Sequence, residues 1–378
     1  MAGKARKRIG SRNTQKDDAA AKQGPSQYEK IKQITEQMEQ SIQNFMSDPN
    51  GAYQQWLSVL GRFHNYSLNN TILIATQKPE ASLVAGFNTW KQLGRSPVKG
   101  SHAIKILAPA PWKQKVEMDK LDPNTQRPVI GADGKPEKET KEILHPAFKV
   151  VNVFDVSDTE GKDLPQIGVN ELTGSIDQYE IVFEAIKRIC PVPIGFENIE
   201  GGAKGYYHLT EKRIAIQEGM SQAQTVKTAL HEAVHQKLHS ITDKKDLPEG
   251  SPILTRNHKE IEAESCAFAI LKYLNITDTS DYSFAYLASW SRDKTTPELK
   301  DSMDRIRKAS SEMINALSEQ IEIIRGEKAA EVSRGENATE PKPSVIVKLK
   351  EAKEEAKEKQ SKAERPAPEK RPAREEAI

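Results

Sequence analysis

At 378 residues and 42.2 kDa the chain is long for one domain and suggests two with polar tails, since 29% charged against 36% hydrophobic side chains and a mean hydropathy of -0.68 dilute any globular centre. No run approaches the roughly 20 apolar residues of a membrane span, and the basic N-terminus lacks the apolar stretch of a secretory signal, so a cytoplasmic protein with no membrane partner is expected. Cys190 and Cys266 alone exclude a disulfide scaffold or a thiolate zinc cluster, and a net charge of +2 leaves any nucleic-acid surface to local sorting of charge.

Residues 1–25 form a basic arm (Lys4, Arg6, Lys7, Arg8, Arg12, Lys16) expected to be disordered. Ser26 with Glu29 three residues later reads as a capping box. Ile31, Ile34, Met38 and Ile42 then give a helix one apolar face to about Met46. Asp48-Pro49-Asn50-Gly51 is a turn, and the helical pattern resumes from Tyr53 to Gln77 with a break near His64–Ser67. A short helix through Phe87–Trp90 ends at Gly94. Alternation predicts strands over 103–107, stopped by Pro109 and Pro111, and over 148–155. The charged, turn-rich stretch 117–141 between them is the mobile tip of a hairpin. Residues 26–156 thus read as a small module of helices followed by antiparallel sheet, and 157–170 as a linker.

A second unit, 171–325, begins with a helix over 176–189. Short strands follow at 193–196, 205–209 and 213–217, then helices at 221–239, 258–274, 283–291 and 297–325. Residues 326–378 are a Lys/Glu-rich tail, expected to be disordered, with few core formers. The fold class expected is α+β.

His231-Glu232-Ala233-Val234-His235 is an HExxH motif inside a helical pattern capped by Ser221. A spacing of four puts both imidazoles on one face, one turn apart, where both reach a single Zn2+. Glu232 lies about 100° round the helix, placed to act as general base on a zinc-activated water. The preceding strand Ile214–Ile216 is expected as the edge beside the metal, where an extended peptide pairs. Zinc needs a third protein ligand. His239 shares the face but lies ~12 Å along a straight helix from His231, too far for bonds near ~2 Å, so it takes a supporting role. Among the carboxylates of the following helix, Glu260 ranks first as ligand and Glu262 second. Glu264, one turn beyond Glu260, would accept the outer N–H of a ligating histidine. His258 reads as a capping or surface residue.

On these residues the chain resembles the ArdC/LtrC group of proteins carried by conjugative elements. The likeness rests on Gly205-Tyr206-Tyr207, Ile214–Ile216, Gly219-Met220-Ser221, the HExxH and Glu260–Glu264 in the second half. In the first half it rests on Trp56, Asn69-Asn70, Gly86-Phe87, Trp90, Leu93-Gly94-Arg95 and Lys99-Gly100. More distantly it is similar to the ImmA/IrrE peptidases, whose Glu-x-x-Ala-Asp pattern maps onto Glu260, Ala263 and Glu264, with glutamate in place of aspartate. The resemblance covers roughly residues 26–325. It implies a single-stranded-DNA-binding N-terminal domain joined to a zincin-like metallopeptidase domain, and a role in antirestriction or DNA processing during conjugative transfer.

The residues speak to nucleic acid as well. Single strands are held by basic grooves with aromatic platforms, and 91–115 contains no acidic residue. Arg62, Tyr66, Asn69, Lys91, Arg95, Lys99, Lys105, Trp112 and Lys113 are the candidate DNA contacts, whereas Trp56, Phe63 and Trp90 are expected in the core.

His231, His235 and Glu260 are thus expected to hold Zn2+, with Glu232 as base and Tyr206 (or Tyr207) stabilising an oxyanion. Single-stranded DNA is the expected partner, with a protein or peptide as substrate. Two alternatives stay open: a DNA-binding module with a non-catalytic zinc domain, and an ImmA-like repressor-cleaving peptidase.

Overall fold

The computed structural model describes residues 25–164, 176–241, 253–276, 284, 287, 290–292 and 294–333. The basic arm to residue 24, the end of the expected linker, the loop after Ile241, most of the helix expected over 283–291 and the tail from 334 lie outside the described residues. No helix among the described residues is long and apolar enough to cross a membrane.

Ser26 opens α1 (Gln27–Ser47) as the capping box requires. Its Oγ accepts the Glu29 N–H at 3.2 Å, and the Glu29 carboxylate accepts the Ser26 N–H at 2.7 Å. Asp48 then accepts the N–H groups of Gly51 and Ala52 and turns the chain into α2 (Gln54–Arg62). Ser67 caps α3 (Leu68–Gln77). Of the expected stripe of α1, Ile34, Met38 and Ile42 are buried and Ile31 is half-buried; Trp56, Leu60 and Phe63 are buried too.

After β1 (Val84–Ala85), α4 (Phe87–Gln92) and β2 (Arg95–Pro97) come β3 (Ile104–Pro109), β4 (Trp112–Asp119), β5 (Lys138–His145), β6 (Phe148–Asp155) and β7 (Thr159–Gly161). An antiparallel sheet has the order β1-β6-β3, and its inward residues Ile104, Ile106 and Val153 face the helices. The other edge of β3 is closed by α3. The Asn70 amide brackets Leu107, donating to its carbonyl and accepting its N–H at 2.9 Å each, and Gln77 does the same for Lys105 at 2.9 Å each. Beyond Pro109 and Pro111 the hairpin resumes as the exposed β4–β5 ribbon, in register from Trp112 opposite His145 to Asp119 opposite Lys138. The strands thus take in 117–119 and 138–141 of the stretch read as a tip, and 120–137 between them holds two isolated bridges, Leu121 opposite Pro128 and Ile130 opposite Pro136. β7 pairs with β2, so the start of the expected linker is sheet.

The second half holds α5 (Ile176–Ile189), β8 (Ile194–Glu197), β9 (Gly205–His208), β10 (Arg213–Gln217), α6 (Gln222–His239), α7 (Arg256–Tyr273) and α8 (Thr296–Ser333). Its sheet has the order β8-β10-β9, with β8 parallel and β9 antiparallel to β10. The edge strand beside α6 is thus β9; β10, the expected edge, is central and buried at Ile214–Ile216. α8 runs eight residues past its expected end at Arg325.

The fold is α+β. Helix α7 is its axis, packed against α2, α6 and α8 and buried from Cys266 to Leu271. Gly61 of α2 lets the first contact close, because a Cβ there would sit 2.5 Å from the Ala269 carbonyl oxygen. The Tyr53 hydroxyl meets Ser265 Oγ at 2.8 Å across the same contact. One continuous hydrophobic core therefore runs from α1 to α8.

Candidate metal centre and nucleic-acid surface

Helix α6 is capped by Ser221 and buries Val226, Ala229, Leu230, Ala233 and Val234. That stripe turns His231 and His235 toward a cleft of about 680 Å³ bounded by Gly205–Tyr207 of β9 and by Lys259 and Glu260 of α7. His235 Nε2 lies 3.0 Å from His231 Nε2. Glu260 Oε2 lies 3.4 Å from His231 Nε2 and 3.5 Å from His235 Nε2. The three donor atoms fall within 4.8 Å of one another, close enough to share one ion. Two imidazoles and a carboxylate suit a first-row divalent metal such as zinc, so the residues present fit the group. Hydrogen bonds from the two imidazoles hold the Glu260 carboxyl well below the usual carboxylate range.

Glu232 points into the same cleft from the buried side. Burial pushes its carboxyl above the ordinary value, although both histidines and the Tyr207 backbone N–H, which it accepts, pull the other way. Gly205 lets β9 close on α6 beside it: a Cβ there would lie 2.5 Å from Thr228 Cγ2 and 2.9 Å from the Ala215 carbonyl oxygen.

The remaining acids and histidines separate clearly. Glu262, second choice as ligand, is fully buried and faces away from the pair. It binds His239 at 3.2 Å, Ser302 at 3.0 Å and Arg305 at 2.7 Å. Burial alone would raise its carboxyl, but hydrogen bonds from His239 and His258 and the Arg305 charge hold it well below the usual range. His258 joins this cluster, its Nε2 3.2 Å from Ser302 Oγ, and is buried rather than a surface residue. Glu264 Oε2 is buried with no hydrogen-bond partner among the described residues, so no histidine N–H reaches it. His239 instead approaches His235, Nδ1 to Nδ1, at 3.0 Å. Burial pushes its imidazole below the ordinary value.

Tyr206 does not suit the oxyanion role expected of it. Its hydroxyl is held between the Glu197 carboxylate and Arg213 Nη2 at 3.1 Å. In β9 its neighbours alternate sides, and Tyr207 packs against the core.

The candidate DNA contacts divide in the same way. Arg62 donates to the carbonyls of Ala81 and Pro79, and Arg95 donates to Thr159 Oγ1 at 2.8 Å, to its carbonyl at 2.6 Å and to that of Lys162 at 2.7 Å. Tyr66 packs edge-on to Phe63, and burial pushes its phenol up to about 12. These three bind their own fold. Lys113 pairs with Glu142 at 2.8 Å. Asn69, Lys91, Lys99 and Lys105 are exposed, and the three lysines have no ion-pair partner among the described residues. Trp112 is 52% exposed and stacks on His145 with ring centroids 4.4 Å apart and planes 16° apart, an open aromatic face. Sequence reasoning missed His145, which only the β4–β5 register brings beside Trp112.

Residues 25–154 match the family described as the N-terminal domain of anti-restriction factor ArdC. The chain carries an ArdC-type N-terminal domain. This ArdC-type domain takes in α1 to α4 and the β1-β6-β3 sheet, and the histidine pair lies beyond it. An uncharacterised protein of Bacillus anthracis is 25% identical over 351 residues, covering 85% of this chain and 56% of the relative. The DNA primase TraC of Escherichia coli is 27% identical over 184 residues, covering 47% of this chain and 12% of the primase. The chain thus spans about half the length of the first relative and about an eighth of the second. Two crystal structures of the antirestriction protein ArdC from plasmid R388 also align. The metal-free one has 19% identity and a TM-score of 0.41 over 68% of this chain and 85% of that one. The Mn(II)-bound one has 18% identity and a TM-score of 0.46 over 75% of this chain and 97% of that one.

Proposed function

We propose that the protein binds single-stranded DNA through its ArdC-type domain and acts, through a zincin-like second half, as a divalent-metal-dependent peptidase in antirestriction or DNA processing. The observation that carries the catalytic half is the convergence of His231, His235 and Glu260 within 4.8 Å beside the buried Glu232. Zinc held by those three side chains would supply the Lewis acidity that activates water and a scissile carbonyl. Glu232 takes the proton of the attacking water and returns it to the leaving amine. Its burial suits the task by making it a stronger base than an exposed carboxylate. β9, pairing only with β10 among the described strands, borders the cleft as an edge on which an extended peptide can lie.

For DNA, the exposed Lys91, Lys99 and Lys105 supply charge, and the Trp112–His145 face supplies a stacking platform, with Asn69 and Lys113 as further contacts. Metal analysis of wild type against His235→Ala, with an oligonucleotide shift on both, tests the two halves together. About one ion per wild-type chain and none in the variant, with DNA binding equal in both, is expected. Equal metal content in the two proteins would sink the centre. A Glu232→Gln protein that retains the ion and keeps wild-type cleavage of an unstructured protein substrate would reduce the second half to a non-catalytic role.

A further inference from the structure

The three-ring run along α6 ends in a charge that the proposed chemistry does not use. His231, His235 and His239 succeed one another one turn apart, yet only the first two face Glu260. His239 sits behind them, buried, with one ring nitrogen 3.0 Å from His235 Nδ1 and the other 3.2 Å from Glu262 Oε2.

We propose that His239 and Glu262 are positioning residues that fix the tautomer and orientation of His235 for metal binding. This rests on the reading that His235 Nε2 is a ligand. The proton assignments then follow without choice. A ligating Nε2 keeps its lone pair, so the His235 proton is on Nδ1 and points at His239 Nδ1. That atom must accept, which places the His239 proton on Nε2, where it donates to Glu262 Oε2. Glu262 is kept an acceptor from behind: its Oε1 accepts from Ser302 Oγ at 3.0 Å and from Arg305 Nε at 2.8 Å. The arrangement is the familiar carboxylate support of a metal-bound imidazole, lengthened by one ring. That extra ring resolves a geometric difficulty. Glu262, on the buried side of α7, meets His239 rather than His235, and Glu264 Oε2 has no hydrogen-bond partner among the described residues.

The test titrates Zn2+ alone, against a competing chromophoric chelator, into the full chain and two variants. His239→Phe keeps the ring volume but neither accepts nor donates. His239→Gln offers an amide that does both. Zinc affinity of His239→Phe is expected to fall 10- to 100-fold, and His239→Gln is expected to recover most of the loss. A long-range nitrogen–proton spectrum of the zinc-loaded 15N-histidine protein should show His239 protonated at Nε2 and bare at Nδ1, a signature that mere packing does not set. Zinc binding by His239→Phe within twofold of wild type, or a proton on His239 Nδ1, overturns the proposal. If His239→Phe fails to fold, the spectrum of the wild type decides alone. Failure of the wild-type chain itself to bind zinc would instead remove the metal centre on which the proposal rests.

Discussion

Arg62 and Arg95 carry the charge of the exposed lysines, yet each guanidinium is turned onto backbone carbonyls of its own fold. Removing one therefore unties structure, whereas removing Trp112 removes only an open ring. Arg62→Ala should lower stability by about 1.5–3 kcal/mol, the range for hydrogen bonds to a charged group, and leave the salt dependence of oligonucleotide binding as it was. Trp112→Ala should do the reverse: an unchanged melting temperature, and single-strand affinity lower by about 1–3 kcal/mol, roughly 5- to 150-fold. Unchanged binding of a poly-dT oligonucleotide by Trp112→Ala would remove the platform from the DNA surface. Asp155 gives a pH-dependent case. Burial alone would raise its carboxyl, but the Ser157 hydroxyl and the N–H groups of Leu83, Ser157 and Ser82 outweigh burial and lower it. Its native value thus lies below the unfolded value near ~3.9, so its stabilisation is full at neutral pH and is lost as the pH falls through the lower native value. The urea midpoint of Asp155→Asn should be well below wild type at pH 7 and approach it as the pH drops below about 4.

Strand β9 and helix α6 meet where Gly205 has no side chain. A methyl group there must push against Thr228 and the Ala215 carbonyl, so Gly205→Ala should cost about 1–3 kcal/mol. Because the Tyr207 N–H that Glu232 accepts rides on the same strand, cleavage should fall while the zinc content stays at wild-type level. Metal loss in this variant, measured by elemental analysis, would mean that β9 supports the ligands rather than the base. The helices around this site were readable in advance, because caps and apolar stripes write their bounds locally: Ser26 with Glu29, Ser67 and Ser221 all cap as their residue types imply. Sequence ranked Glu260 ahead of Glu262, but which face of α7 meets α6 depends on packing that no local pattern records; it is Glu260 that lies beside the histidine pair. β4 and β5 were unreadable for another reason. Neither face of their ribbon is buried, so no alternation of apolar residues marks it. The two- and three-residue strands β1, β2 and β7 are too short to carry any period.

Composition pointed to two separate units, whereas one hydrophobic core runs through both halves. The packing between the halves was not legible, because Tyr53 and Leu57 look alike whether they face their own helices or α7 from two hundred residues on. With one core running through α2, α7 and α8, the slowest-exchanging amides of α2 and α7 should report the same opening free energy by hydrogen exchange. Gly61→Ala, which drives a methyl group into the Ala269 carbonyl, should lower both together. Exchange from α7 that stays at the wild-type rate in Gly61→Ala would show that the halves open independently.

The bracketing of Leu107 and Lys105 by Asn70 and Gln77 bears on how copies of the protein meet one another. A strand arriving from a neighbouring molecule finds side-chain amides where a sheet margin would normally offer its backbone. To dock there it would first have to evict both, breaking four hydrogen bonds before its own first one forms. Copies brought close together are in this way kept from zipping into one another along this margin.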